Sequence, residues 1–340
     1  MPHQPLIRKT IMLRFNKKIR FSFFLFVVSM PSLFSQELFP LNEPASNVPK
    51  GVLGLRMMGE TFKEVSQFRN QFSFRAMYGL LPRLSVSATI GISNHHDKNF
   101  PANLVSHSHN GSQTIYTTGD FQRGLAYPYQ SNGIYLFAKY RFVTRDGTHT
   151  HFRMAAYAEG TYVQQAHDES EPNLMGDTKG YGAGLITTCL KNHFAVSLTS
   201  GFIIPGAYDG LSPDVNGGPM IPTKIDYGRA LTYNLSMGYL LFPQVYKNYD
   251  QLNVNVYLEL LGKAFEAAAV TQYGNVRVPI NTPLLDKGNY MDIAPGVQCI
   301  FKSNLRVDLS VKFPMIHKSY ARFYPVFLVG VQRYFYFKRK

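Results

Sequence analysis

Tryptophan is absent from the 340 residues, and cysteine occurs only twice, at Cys189 and Cys299. Two cysteines are too few to staple a small scaffold through disulfides. Without a CxxC pair, both read as small apolar residues inside strands. Charge is scarce too: 16% of the side chains are charged, against about 25% in ordinary soluble domains. Long apolar runs are missing. The stretch 21–30, FSFFLFVVSM, is half the length of about 20 residues that a membrane helix needs. With a mean hydropathy of −0.14, the composition excludes a helical membrane bundle. No phosphate loop, dinucleotide fingerprint or basic-aromatic RNA motif occurs, so no nucleic-acid partner and no cofactor is expected.

Positive charge is present but uneven. Lys and Arg number 35 against 21 acidic residues, a formal +14. Arg8, Lys9, Arg14, Lys17, Lys18 and Arg20 lie in the first 35 residues, which carry no acid. Without those six the balance is 29 against 21, or +8, and Lys338, Arg339 and Lys340 hold three more. A basic stretch, an apolar run and then Pro31-Ser32-Leu33-Phe34-Ser35 form the pattern of a secretory signal peptide. The expectation is a signal peptide over residues 1–35, cleaved after Ser35, and a single exported domain over 36–340.

The remaining chain is dominated by a period of two. Leu84, Val86, Ala88, Ile90 and Ile92 alternate with Ser85, Ser87, Thr89, Gly91 and Ser93. Leu252, Val254, Val256, Leu258 and Leu260 alternate with Asn253, Asn255, Tyr257 and Glu259, and Leu305–Phe313 repeats the pattern with Arg306, Asp308, Ser310 and Lys312. Such alternation marks strands. Looser segments at about 51–62, 68–80, 132–143, 151–163, 180–190, 193–204, 228–242, 288–301 and 322–337 bring the number to twelve. Short turns near 82–83, 146–147, 191–192, 243–250 and 303–304 alternate with mostly longer connections near 95–131, 164–179, 205–227 and 269–287. An even strand number with short turns at one end and long loops at the other is the plan of a transmembrane antiparallel up-and-down β-barrel. A soluble sandwich or lipocalin-like barrel is the rival. Charges on the polar face of nearly every strand disfavour it, because a filled apolar core does not tolerate them unpaired.

Several segments resemble known families. The exported chain with its aromatic last strand, Tyr334-Phe335-Tyr336-Phe337, resembles Gram-negative outer-membrane β-barrel proteins, although Lys338-Arg339-Lys340 follow the final Phe. The hairpin Tyr78-Gly79-Leu80-Leu81-Pro82-Arg83-Leu84-Ser85-Val86 is similar to the YGL-x-x-RLS hairpin of a transporter-like group linked to phenol degradation. These resemblances imply an outer-membrane location and a transport role, with membrane lipid and a small solute, anionic or aromatic, as partners. His107-Ser108-His109-Asn110-Gly111 resembles the His-x-Ser-Asn-Gly segment of twelve-stranded outer-membrane phospholipases, but His109 stands at the nucleophile position. The enzyme reading therefore ranks last.

Parity assigns fourteen charges to the inner wall. The basic ones are Arg56, Arg69, Arg75, Lys139, Arg141, Arg153, Lys263, Arg306 and Lys312; the acidic ones are Glu60, Glu159, Glu259, Asp292 and Asp308. A charge at the lipid midplane costs about 2–4 kcal/mol for Arg or Lys, which inward placement avoids. Two readings follow: a water-filled, net basic passage that favours anions, or a mixed-charge network that fills the barrel. His95, His96, His107 and His109 crowd the long loop 95–131 and are candidate metal ligands. Its aromatic residues are candidates for a surface narrowing the mouth. Tyr135, Tyr140 and Phe142 are assigned to interfacial girdles. The expected function is passage of small solutes, with a non-transporting scaffold or partner subunit of a surface complex as the alternative.

Overall fold

The computed structural model describes residues 39–337 except 65–66, 95–127, 164–169, 177, 215–217, 246–247, 249, 275, 279–284 and 320–322. Sixteen strands run along these described residues. They are β1 (Val52–Glu64), β2 (Gln67–Leu81), β3 (Leu84–Ser93), β4 (Gln130–Asp146), β5 (Thr150–Tyr162), β6 (Gly180–Lys191), β7 (Phe194–Pro205) and β8 (Tyr208–Pro213). After them come β9 (Met220–Asp226), β10 (Ala230–Phe242), β11 (Asn253–Phe265), β12 (Ala269–Gln272), β13 (Val276–Val278), β14 (Gly288–Phe301), β15 (Leu305–Lys318) and β16 (Val326–Tyr336).

Twelve of these strands close into a barrel in the order β1-β16-β15-β14-β11-β10-β7-β6-β5-β4-β3-β2. All wall pairings are antiparallel, and β1 against β16 forms the closing seam, with Arg56 opposite Gln332. Closure leaves no unpaired sheet edge, which a lipid-embedded backbone requires. The alternation gives the wall two unlike faces. Leu55, Met57, Leu136, Leu198 and Leu309 are exposed on the outside, while Arg56, Lys139, Glu259 and Asp308 are buried inside. The short turns gather at one end; in the β14–β15 turn, Lys302 and Ser303 both have positive φ, the backbone of a tight two-residue hairpin.

The remaining four strands form a second sheet, in the order β13-β12-β9-β8. It grows from the long-connection end, where β9 and β12 carry the β10–β11 pairing onward, with Asp226 opposite Ala269. Ile225, Val270 and Leu285 pack as its core, with Tyr208 and Tyr227 against them. The connections 205–227 and 269–287 thus hold strands where the alternation pattern implies only loops.

The chain enters β1 through a close approach to β2. Lys50 bridges to Gly79 in parallel, and Gly51 N donates to the Gly79 carbonyl at 2.8 Å. A Cβ on Gly79 would lie 2.0 Å from the Pro49 carbonyl oxygen, which backbone cannot yield. Gly79→Val is expected to dislodge the segment before β1 and to lower the yield of folded barrel, scored as the heat-modifiable band on a gel. Wild-type yield together with unchanged proteolysis ahead of Val52 would count against this contact.

Candidate functional site: a lumen crossed by two straps

The lumen is occupied by the chain itself. Residues 39–48, ahead of β1, cross it as a first strap. The Phe39 carbonyl accepts from Arg306 at 3.2 Å, and the Pro40 carbonyl accepts from Arg56. The backbone N–H groups of Leu41 and Asn42 donate to the two oxygens of Glu259 at 3.0 and 2.9 Å, and Ser236 donates to the same carboxylate at 3.0 Å. Glu43 lies between Arg75 at 2.5 Å and Lys139 at 3.1 Å. Lys139 also donates to the Pro44 carbonyl at 2.6 Å. Ala45 N donates to Thr188 at 2.9 Å, and Arg153 donates to Ser46 at 2.8 Å. These partners belong to eight of the twelve wall strands, and Arg153, Thr188 and Arg306 lie near the short-turn ends of theirs.

A second strap, residues 170–176, folds into the lumen at the opposite end. Lys263 donates to the Pro172 carbonyl at 2.6 Å and stands 3.6 Å from Glu171. Thr161 donates to the Leu174 carbonyl. Leu174 packs among Tyr135, Ile203, Ala230, Phe265 and Tyr290. Arg75 reaches this strap as well, with Nη2 at 3.2 Å from the Met175 sulfur. Between the straps lies a compartment of about 200 Å3, bordered by Pro40, Leu41 and Asn42 on one side and Met175 on the other. Arg56, Arg75, Lys263 and Lys312 reach it, with Glu60.

The fourteen wall charges take distinct places. Arg56, Arg306 and Asp308 form one buried knot: Arg306 Nε donates to Asp308 at 2.8 Å, Arg56 stands 3.6 Å from it, and Gln298 donates at 3.0 Å. Lys312 pairs with Glu60 at 2.9 Å. Glu159 accepts from Tyr135 at 2.6 Å, and Asp292 accepts from Tyr324. Arg153 pairs with Asp146 at 3.2 Å and Arg141 donates to the Pro82 carbonyl at 3.2 Å, both toward the short turns. Arg69 donates to the Asn94 carbonyl at 3.3 Å, near the other rim. Arg75, Lys139, Glu259 and Lys263 bind the straps as described. Tyr140 and Phe142 are exposed on the outer face. Tyr135 is not in a girdle: it is buried in the lumen and stacks on Phe137, because the second strap supplies apolar packing there.

Periodicity identifies neither strap, so Glu43, Glu171, Asn42 and Met175 are not among the residues it picks out. The nine basic against five acidic wall positions are the one sign of them, since buried charges need partners. Glu43 and Glu171 bring the acids to seven. His95, His96, His107 and His109, and the His107–Gly111 segment, lie outside the described residues, as does the signal segment 1–35. Among the described residues, no three His, Cys, Asp or Glu side chains group as a metal site.

No protein-family model matches the chain, and no curated relative does. A solved outer membrane channel from Pseudomonas putida F1 is similar to it at a TM-score of 0.55 and 11% identity, over 88% of this chain and all of that one. The chain has the fold of an outer-membrane β-barrel. The toluene transporter TodX of Pseudomonas putida also aligns, with 10% identity over 84% of this chain and 89% of that one, but its TM-score of 0.36 is too low to bear on the fold.

Proposed function

We propose that this protein resides in the outer membrane of a Gram-negative bacterium, exported by residues 1–35, and passes small polar solutes through a lumen closed by its two straps. One observation carries the reading. What occupies the lumen is two chain segments, held by hydrogen bonds and ion pairs and belonging to no strand of the wall. A barrel meant only as a scaffold has no need of a compartment of about 200 Å3, reached by Arg56, Arg75, Lys263 and Lys312, between segments that are not part of its wall. The compartment is smaller than the roughly 300–1,000 Å3 of drug-sized ligand sites, so the solute is small. The wall's excess of Arg and Lys favours anions. The reading includes no catalytic step. The scaffold alternative draws on the four-stranded sheet at the long-connection end, which keeps Leu211, Tyr273 and Val276 exposed.

The test fixes the first strap in place. Ala45→Cys and Thr188→Cys, in a chain with Cys189→Ser and Cys299→Ser, put a thiol on the strap and one on β6. A short bis-maleimide then bridges them. In planar bilayers the unbridged protein is expected to show discrete conductance steps and the bridged protein none. Equal currents in both states would remove gating by the strap, and silence in both would favour the scaffold.

A further inference from the structure

We infer that Arg75 and Lys139 form a binding subsite for the carboxylate of a small solute, and that Glu43 occupies it as an internal stand-in. The inference deepens the passage reading and rests on it for the arrival of a solute. Four observations support it. First, the site has the donors a carboxylate needs: Arg75 Nη1 at 2.5 Å from one Glu43 oxygen and Lys139 Nζ at 3.1 Å from the other. Second, it is rigidly built. Arg75 Nε is fixed on Thr89 at 3.1 Å, and Lys139 is buried on the wall of β4.

Third, the occupant is no part of the wall. Glu43 belongs to the first strap, so displacement of the strap removes the acid and leaves two inward cations without it. An unpaired buried charge is costly, and an incoming carboxylate lowers that cost. Solute binding and strap departure therefore favour each other, which is the differential affinity that any ligand-driven opening requires. Fourth, the subsite borders the compartment. Arg75 lines it, and the partner of its Nη2 is the Met175 thioether at 3.2 Å. Sulfur is a weak acceptor, and a carboxylate oxygen in the compartment takes that N–H readily. A solute can thus engage Nη2 before Glu43 releases Nη1, and the exchange proceeds without a bare guanidinium. The second strap repeats the device at its own end, where Glu171 stands 3.6 Å from Lys263.

The experiment reads strap departure directly. Ser46→Cys, in a chain with Cys189→Ser and Cys299→Ser, places a thiol on the buried strap of the otherwise complete exported protein. Its reaction rate with a neutral maleimide follows the fraction of molecules with the strap withdrawn. Acetate is expected to raise the rate well above sodium chloride of equal ionic strength. Arg75→Gln is expected to abolish the difference between the two salts. Glu43→Gln is expected to raise the rate about tenfold without added anion.

Equal rates in acetate and chloride would overturn the inference. That comparison needs no change at Glu43, so it decides the matter even if Glu43→Gln fails to fold. The two proposals fail separately. Acetate-specific labelling in a protein silent in bilayers leaves the subsite and removes the passage. Conductance with no acetate effect on labelling leaves the passage and removes the subsite.

Discussion

Asp308→Ala is expected to lower the unfolding free energy of the barrel by about 3–5 kcal/mol, read from urea titration in lipid vesicles. Asp308 is the one acid in a knot of two arginines. It accepts from Arg306 at 2.8 and 3.0 Å and from Gln298 at 3.0 Å, with Arg56 at 3.6 Å. Arg306, Arg56 and Asp308 are all nearly fully buried. Alanine takes the carboxylate from between two like charges, and the Gln298 Nε2–H loses this acceptor while its oxygen still accepts from Asn255. Asp308→Asn keeps an acceptor for Arg306 and is expected to cost less, about 1–3 kcal/mol. A loss below about 1 kcal/mol for the alanine variant would mean that water screens the knot as it does a surface pair. Because β15 meets β16 beside the closing seam, the loss should come with a smaller heat-modifiable fraction.

The second large effect is on conductance. Replacing residues 39–48 with a Gly-Ser stretch of equal length is expected to raise the mean current in planar bilayers about a hundredfold. The estimate follows from the bonds that hold the strap. Several involve charged groups, each contributing about 1.5–3 kcal/mol net, among them Glu43 with Arg75 and Lys139, and Glu259 with two backbone N–H groups. Even after the strap regains its conformational freedom, an open population near one per cent is the expected order, since minor states lie at about 0.1–10%. Without the first strap that factor is lifted, while the second strap keeps its own equilibrium. The open lumen loses Glu43 and should prefer anions. Neutralising Arg75, Arg141 and Arg153 together should then move the reversal potential toward cations. If the Gly-Ser chain folds and its current matches wild type, the second strap alone closes the lumen.

The wall was legible in the sequence because each of its strands has to present one face to lipid and one to polar groups. A period of two is the signature of that demand, and all twelve expected segments are wall strands. The four short strands were not legible. β8 reads YDGLSP and β13 only VRV, and neither belongs to the barrel wall, so the two-faced wall imposes no alternation on them. The straps were illegible for a related reason. Residues 39–50 contain Pro40, Pro44 and Pro49, pair with no sheet except at Lys50, and satisfy their backbone through wall side chains such as Glu259 and Thr188. Tyr135 shows the limit of assigning a residue by its type. Its parity matches Lys139 on β4, but its aromatic character points to a girdle; the Leu174 packing and the Glu159 carboxylate that accepts from its hydroxyl explain why it belongs inside.

The first strap also has a bearing on how the molecule is made. The partners of its first residues lie far along the chain: Phe39 meets Arg306 across 267 positions, and Leu41 meets Glu259 across 218. Contacts of such separation form late, after the chain entropy of the intervening loop has been overcome. Glu43 finds Arg75 and Lys139 on β2 and β4 early in the chain, but the Phe39 end of the docking surface is incomplete until Arg306 on β15 has joined the wall. Full seating of the strap therefore waits for β15. Until then the lumen lacks part of its filling, and a slow decay of leak current after insertion into vesicles would time the seating of that end.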